Sequence, residues 1–425
     1  MKTFPFFVIL SLFFMRSSVG NSCSMYKITV DGKTVVGCNE DAWRVTPHIW
    51  FERAAKNQSY GACFTGSRWD GANGYAPQSG MNDQGLVYSR LASHMPKNAA
   101  FNPSGKKAIT NATWYLKDIL HVCRNVEEVK AFIEQHDHSI FLEDVFIYVD
   151  KSGKYLVVEP YSLTIADDAT YVLSNFCPSI TSTDDARKLD RYRHGVDFIE
   201  SRVDTTFEYF TALSDTMHVS RSKIGDGTLL TSIWDPHQGM VSLYFYHAYD
   251  KAIHFNIKEE LEKGDQLIAL EPLFPTNEEF EKLKAYKTPW NSDGIKVILL
   301  GGAGIFLLTA IMSICVFVRN RKQNQLLWFV PMGLLLFYYV FVLFTNIGIF
   351  YFPAPYVNPW NVFVSAASYI PLLLLLTVVP LIILTIKWIR NQRGHFFTKM
   401  VLTANGIAML SLGVLFYYWQ LYSVM

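Results

Sequence analysis

Cys23-Ser24-Met25-Tyr26-Lys27-Ile28-Thr29-Val30-Asp31-Gly32-Lys33-Thr34-Val35-Val36-Gly37-Cys38-Asn39-Glu40-Asp41 is the stretch that decides how this 425-residue chain folds. Residues 26–30 and 34–37 are rich in β-branched and aromatic side chains, and Asp31-Gly32-Lys33 between them is a turn signal. The pattern predicts a β-hairpin whose first strand carries Cys23 at its start.

Upstream of the hairpin, Lys2 precedes an apolar run over 4–14, and a short polar stretch ends in Gly20-Asn21-Ser22. A basic start, a short apolar segment and small residues at 20 and 22 predict a secretory signal peptide over 1–22. The run is shorter than the roughly 20 residues that cross a bilayer, which argues against a retained anchor. Cleavage after Ser22 makes Cys23 the first residue of the mature chain. Its thiol then shares a residue with a free α-amine, whose ordinary pKa of about 7.7 to 8.0 suits it to take the thiol proton. A lipid-modified cysteine also follows a leader directly, but Gly20 stands where a large aliphatic residue is usual.

Downstream, the composition changes near Trp290. The runs 297–318, 326–352, 362–386 and 400–418 are each near or above bilayer-crossing length, so 296–425 reads as a membrane domain of four transmembrane helices. Arg319, Arg321 and Lys322 follow the first run, and Lys387, Arg390, Arg393 and Lys399 follow the third, whereas 353–361 carries no charge. The positive-inside rule puts the basic loops in the cytoplasm and the soluble domain on the outer face, the side a signal peptide also demands. Gly301-Gly302-Ala303-Gly304 lies inside the first run and reads as close helix packing, not as a nucleotide loop.

The remainder, 23–260, is one soluble domain of a size that holds a large core. Residues 111–137 have helical periodicity, 143–150, 155–159 and 171–174 read as strands, and 184–202 and 205–215 read as helices. A closing hairpin, 229–234 and 240–246, flanks Asp235-Pro236-His237-Gln238-Gly239. Strands, helices, strands, helices and strands in that order predict layered α+β architecture. A charged helix over 259–287 is expected, and 261–295 is the segment that leads to the membrane. The net charge of +1, with no basic block outside the membrane loops, excludes a nucleic-acid partner. Six cysteines without CxxC spacing give neither a zinc site nor a disulfide framework, and pairing among Cys38, Cys63, Cys123 and Cys177 stays open. His136 and His138 read as residues of a helix end, not as metal ligands. Trp43, Trp69 and Tyr88 are candidates for an acyl pocket or for core filling.

From Cys23 to about Tyr249 the chain resembles the choloylglycine hydrolase and penicillin V acylase family of N-terminal-nucleophile linear amide hydrolases. The resemblance rests on Cys23-Ser24, Gly37-Cys38-Asn39-Glu40-Asp41 and Gly80-Met81-Asn82-Asp83-Gln84-Gly85-Leu86. It continues through Val126-Glu127-Glu128-Val129-Lys130, Gly153-Lys154-Tyr155-Leu156-Val157-Val158-Glu159, Leu173-Ser174-Asn175 and Thr231-Ser232-Ile233-Trp234-Asp235. It implies an αββα sandwich that cuts non-peptide C–N amide bonds and needs no cofactor or metal.

Residue by residue, the resemblance implies Cys23 as nucleophile, Asp41 as the carboxylate holding its amine, Asn175 beside the oxyanion and Arg191 as the late active-site arginine. Two departures stand out. Cys38 occupies the place of the arginine that bile-salt-type members carry, and Ala92 that of the family's oxyanion asparagine, so the second oxyanion donor is open and Asn82 reads as a turn residue. The expectation is an exported, membrane-anchored cysteine amidase acting on a small-molecule N-acyl amide, with amphiphilic amides favoured by the anchor. An acyltransferase using the same thioester and a catalytically lapsed acyl-binding protein are the rival readings. Among substitutions, Asp144→Asn is expected to do little.

Overall fold

The computed structural model describes residues 23–221, 223–358, 361–390 and 396–423. The expected signal peptide lies outside them, as do 391–395 of the second basic loop. Two compact units divide the chain, one ending at Lys284 and the other running on from Ala285.

The first unit opens with β1 (Ser24–Val30) and β2 (Lys33–Ala42), joined by a two-residue turn with Val30 opposite Lys33. Asp31 and Gly32 both have positive φ, 48° and 74°, which is the backbone that a tight right-twisting hairpin requires and that Asp-Gly accepts readily. Tyr26 lies across from Gly37, and a Cβ at 37 would sit 2.1 Å from the Tyr26 ring. Glycine is therefore what lets the ring lie flat over the second strand.

There follow β3 (His48–Glu52), β4 (Ala62–Gly66), β5 (Arg68–Trp69), β6 (Tyr75–Ala76), β7 (Ser79–Asn82) and β8 (Val87–Ala92). Helices α1 (Ala112–Val122) and α2 (Val126–Glu134) precede β9 (Asp144–Val149), β10 (Tyr155–Glu159), β11 (Ser162–Ala166) and β12 (Thr170–Leu173). Then come α3 (Thr183–Ala186), α4 (Asp190–Ser201), α5 (Phe207–Thr216), β13 (Gly227–Asp235), β14 (Met240–Phe245) and β15 (Ala248–Asn256). The unit closes with α6 (Ile257–Glu262), β16 (Gln266–Ala269) and α7 (Glu278–Ala285).

Six strands form one antiparallel sheet in the order β12-β1-β2-β13-β14-β15, and eight form a second in the order β11-β10-β9-β8-β7-β4-β3-β16. Three apolar clusters show how they stack. Met25, Cys38, Leu230 and Trp234 of the first sheet pack with Phe51, Met81, Leu91 and Ile147 of the second. The second sheet's other face, with Phe64, Tyr88 and Tyr148, is covered by Leu116, Ile119 and Val129 of α1 and α2. The first sheet's other face, with Tyr26 and Ile28, is covered by Ile199, Phe210 and Leu213 of α4 and α5. Alternation along β1 thus sends Cys23 and Met25 between the sheets and Tyr26 and Ile28 toward the helices.

Local chemistry breaks two helices that periodicity joined. Asn125 caps α2 by accepting from the Glu128 N–H, so 111–137 is two helices. Ser182 caps the short α3, and α4 starts afresh after Leu189. The 259–287 segment is not one helix either. Gly264, at φ 105°, turns the chain, and Gln266–Ala269 then pairs with the edge of β3 before α7 begins.

The second unit holds four helices long and apolar enough to cross a membrane: Asp293–Arg319, Arg321–Thr345, Val362–Arg390 and Phe396–Tyr418. The second stops at Thr345, earlier than its apolar run, because Asn346 leaves helical geometry ahead of a short helix, Gly348–Tyr351. All six cysteines are unbridged.

Candidate active site

β1 carries Cys23 into the end of the gap between the sheets, where it is 6% exposed. Its backbone nitrogen donates to Asn175 Oδ1 at 3.2 Å, and its carbonyl accepts from Ser174 Oγ at 3.2 Å. The backbone N–H of Asp41, on β2, points to its sulfur. Burial pushes the Cys23 thiol up to about 12, the Asp41 carboxylate adds to this, and the Glu40 carboxyl adds less, while the Asp41 N–H and Arg191 oppose it. A thiol so placed stays protonated at neutral pH unless a base takes its proton.

The four residues expected at the site converge. Arg191, from the first turn of α4, donates through Nη1 to Asp41 Oδ2 at 3.0 Å, and Thr228 Oγ donates to Asp41 Oδ1 at 2.6 Å. Among the described residues these two are the side-chain partners of the Asp41 carboxylate. Asn175, just past β12, accepts from the Cys23 nitrogen and donates through Nδ2 to the Ala92 carbonyl at 2.7 Å. In this geometry Asn175 grips the nitrogen of Cys23, and Asp41 meets the sulfur through its backbone. Ala92, where the resemblance places an asparagine, contributes only its carbonyl.

Gln78 is a neighbour that sequence reasoning missed. Its Nε2 lies 3.6 Å from Cys23 Sγ and also donates to the Arg90 carbonyl, while the Arg90 N–H donates to the Gln78 carbonyl at 2.8 Å. An amide donor beside the sulfur is the type of group that can meet negative charge developing on an attacked carbonyl oxygen. Asn82 is spent otherwise: its Oδ1 accepts from the Gln84 and Leu86 N–H groups, and its Nδ2 donates to the Leu120 and Cys123 carbonyls.

Glu40, beside Asp41, was also missed. It is 6% exposed and takes hydrogen bonds from Thr65 Oγ and from Ser79 Oγ, the latter at 2.5 Å. Burial raises its carboxyl to about 7 against the opposing pull of those hydroxyls. Three arginines complete the electrostatics. Arg90 is held by Asp144 through Nε at 2.7 Å and Nη2 at 2.9 Å. Arg44 and Arg68 have no ion pair among the described residues. Arg44 is exposed at the surface, yet desolvation by its protein neighbours, then the like charges of Arg68 and Arg90, lower it from its ordinary value, while Cys23 raises it.

The remaining candidates lie in other settings. Cys38 is buried, its thiol raised to about 12 by burial and set among Ser89, Ser232 and Trp234. Tyr88 belongs to the cluster on the helix-covered face of the second sheet, away from Cys23, and Trp69 is exposed against Tyr75. His136 Nδ1 meets the Phe132 carbonyl, and buried His138 meets the Tyr115 hydroxyl at 3.0 Å. Among the described residues no group of three or more His, Cys, Asp or Glu is placed to hold a metal ion.

No protein-family model matches the chain, and no curated protein matches it significantly. Among solved structures, it is similar to a cysteine-to-alanine mutant of conjugated bile acid hydrolase from Clostridium perfringens, with 15% identity over 60% of this chain and 97% of that one, TM-score 0.46. An arginine-to-leucine variant of the same enzyme gives 16% identity over 60% and 97%, TM-score 0.45. Penicillin V acylase from Agrobacterium tumefaciens gives 12% identity over 58% and 90%, TM-score 0.43.

Proposed function

We propose that this chain is an exported, membrane-anchored cysteine amidase that hydrolyses linear N-acyl amides through a thioester on Cys23. The observation that carries the reading is that nitrogen and sulfur of one residue are both held, the nitrogen by Asn175 Oδ1 at 3.2 Å and the sulfur between the Asp41 N–H and Gln78 Nε2.

Once the peptide bond before Cys23 is cut, that nitrogen is a free amine one residue-length from the thiol and able to take its proton. The sulfur attacks the amide carbonyl carbon, and the carbonyl oxygen gains the negative charge that Gln78 Nε2 is placed to meet. Collapse breaks the C–N bond, and the α-ammonium returns its proton to the departing amine. Water, activated by the same α-amine, then opens the thioester and releases the acid. Asp41, clamped by Arg191 and Thr228, fixes the β2 backbone whose N–H faces the sulfur.

The αββα sandwich, the outer-face location and the preference for amphiphilic amides belong to the same reading. It is supported by the ordered motifs from Cys23 to Asp235 and by four apolar helices long enough to span a bilayer. Intact mass of the purified protein, with turnover of an N-acyl amide by wild type and Cys23→Ala, tests it. A mature chain starting at Cys23, active in wild type and inert in the variant, is the expected result. Amine acceptors added to the assay separate hydrolysis from acyl transfer. A chain that retains 1–22 yet turns substrate over sinks the mechanism.

A further inference from the structure

Glu40 lies one position beyond the Ser24–Asn39 pair of the β1–β2 ladder, on the side of Cys23, so the two residues face one another across the hairpin. Its carboxyl reaches across the gap between the sheets to Thr65 on β4 and Ser79 on β7. Those hydroxyls are 2.7 Å apart, and Ser79 Oγ lies 3.3 Å from Ser232 Oγ on β13. No Lys, Arg or His pairs with Glu40 among the described residues. The titratable groups around it are Cys23 just ahead of β1, Cys38 on β2, Tyr88 on β8 and the adjoining Asp41, whose charge is already met by Arg191 on α4. From β4, β7 and β13 the facing groups are neutral hydroxyls.

A carboxylate buried without a counter-charge is costly, whereas a carboxylic acid in the same place is not. Serine and threonine hydroxyls can donate to the ionised form or accept from the protonated one, so this network serves both states. Each state presents Cys23 with a different field.

We propose that Glu40, without touching substrate, sets the charge of the nucleophile's chamber: protonated, it leaves Cys23 free to ionise, and ionised, it holds the thiol in its neutral form. This rests on the reading of Cys23 as nucleophile. It makes Glu40 a positioning residue that acts through charge and assigns the enzyme a loss of nucleophile reactivity, relative to what solution pH alone would give, as the medium turns alkaline.

The test follows alkylation of Cys23 by iodoacetamide in the mature full-length protein, read by peptide mass, for wild type and Glu40→Gln. The reagent forms an S–C bond to the thiolate with loss of iodide and needs no substrate. At a pH of about 5.5 the two proteins should react alike. At a pH of about 9 the variant should react about tenfold faster, one pKa unit being tenfold in thiolate. Equal ratios at both pH values overturn the inference while leaving the nucleophile reading intact. A Cys23 that reacts in neither protein at any pH overturns both. If Glu40→Gln does not fold, Ser79→Ala takes its place: with one donor to the ionised carboxylate gone, the pH at which Cys23 labelling falls behind should move upward. An unmoved profile there counts against the inference.

Discussion

Arg191 Nη1 and Asp41 Oδ2 meet at 3.0 Å with side chains 9% and 1% exposed, which makes them a buried ion pair beside Cys23. Removing one partner leaves the other charge buried. Arg191→Met is expected to cost about 3 to 5 kcal/mol in urea unfolding of the detergent-solubilised protein. The double change Arg191→Met with Asp41→Asn should recover a large part of that loss. Recovery of stability without recovery of turnover would show the pair serving catalysis beyond folding.

Asn175 holds the Cys23 nitrogen with its oxygen and the Ala92 carbonyl with its nitrogen. Asn175→Ala should lower kcat on the order of 10²-fold by freeing the amine that must face the thiol. Its KM should change little. A rise in KM at constant kcat would mean that Asn175 binds substrate instead.

Two buried groups give stability opposite pH responses. Burial lowers His138 from 6.5 to about 3, so its contribution is complete above 6.5 and is lost as pH falls toward 3, on the order of 5 kcal/mol in all. Glu40 is raised from 4.5 to about 7, so its contribution is complete below 4.5 and is lost as pH rises through 7, on the order of 3 kcal/mol. Between 4.5 and 6.5 the two slopes oppose, and Asp226, raised by burial from 3.8 to about 6, adds to the Glu40 side. His138→Gln removes the histidine slope, and its melting temperature should rise relative to wild type as pH falls through that window. A variant that tracked wild type would show that the histidine is not held neutral.

Arg44 and Arg68 give the surroundings of Cys23 an excess of positive charge, Arg90 being matched by Asp144. Iodoacetate should therefore alkylate Cys23 faster relative to iodoacetamide than it alkylates free cysteine, by about tenfold at low salt. The double variant Arg44→Gln/Arg68→Gln should lose that preference, and its iodoacetamide labelling should slow as well, because the thiolate loses nearby positive charge.

An alanine inserted between Ser22 and Cys23, confirmed by mass to remain on the mature chain, should abolish turnover of an N-acyl amide. The inserted residue turns the Cys23 amine into an amide that cannot accept a proton. Full activity would remove that amine as the base.

The hairpin could be read from Asp31-Gly32 because two positive φ values in a row admit few residue pairs. Cys23 drew notice in the sequence by its place after a leader-like segment, and the structure sets it beside Asn175, Asp41 and Gln78. Asn125 and Ser182 carried cap signals that a helical period over 111–137 and 184–202 overrode. Gln78, Glu40, Arg44 and Arg68 were illegible because their roles come from contacts between strands far apart in sequence. Gln78 meets a sulfur 55 positions away, and Thr65 reaches Glu40 across the gap between two sheets. The same blindness made Asp144 look dispensable. Its bidentate hold on Arg90 means that Asp144→Asn would release a cation near Cys23, so it is a poor neutral control.

Cys23 is 6% exposed and Ser24 1%. A peptidase that cuts ahead of Cys23 must grip an extended backbone on both sides of the bond, and the finished sandwich offers none on the Ser24 side. If Cys23 is freed by such a cut, as proposed, the cut belongs to a nascent stage, before the two sheets close over β1. On that reading maturation has a deadline: a chain that folds first would never be cut ahead of Cys23, and slowing the peptidase should yield a stable, uncut and permanently silent protein.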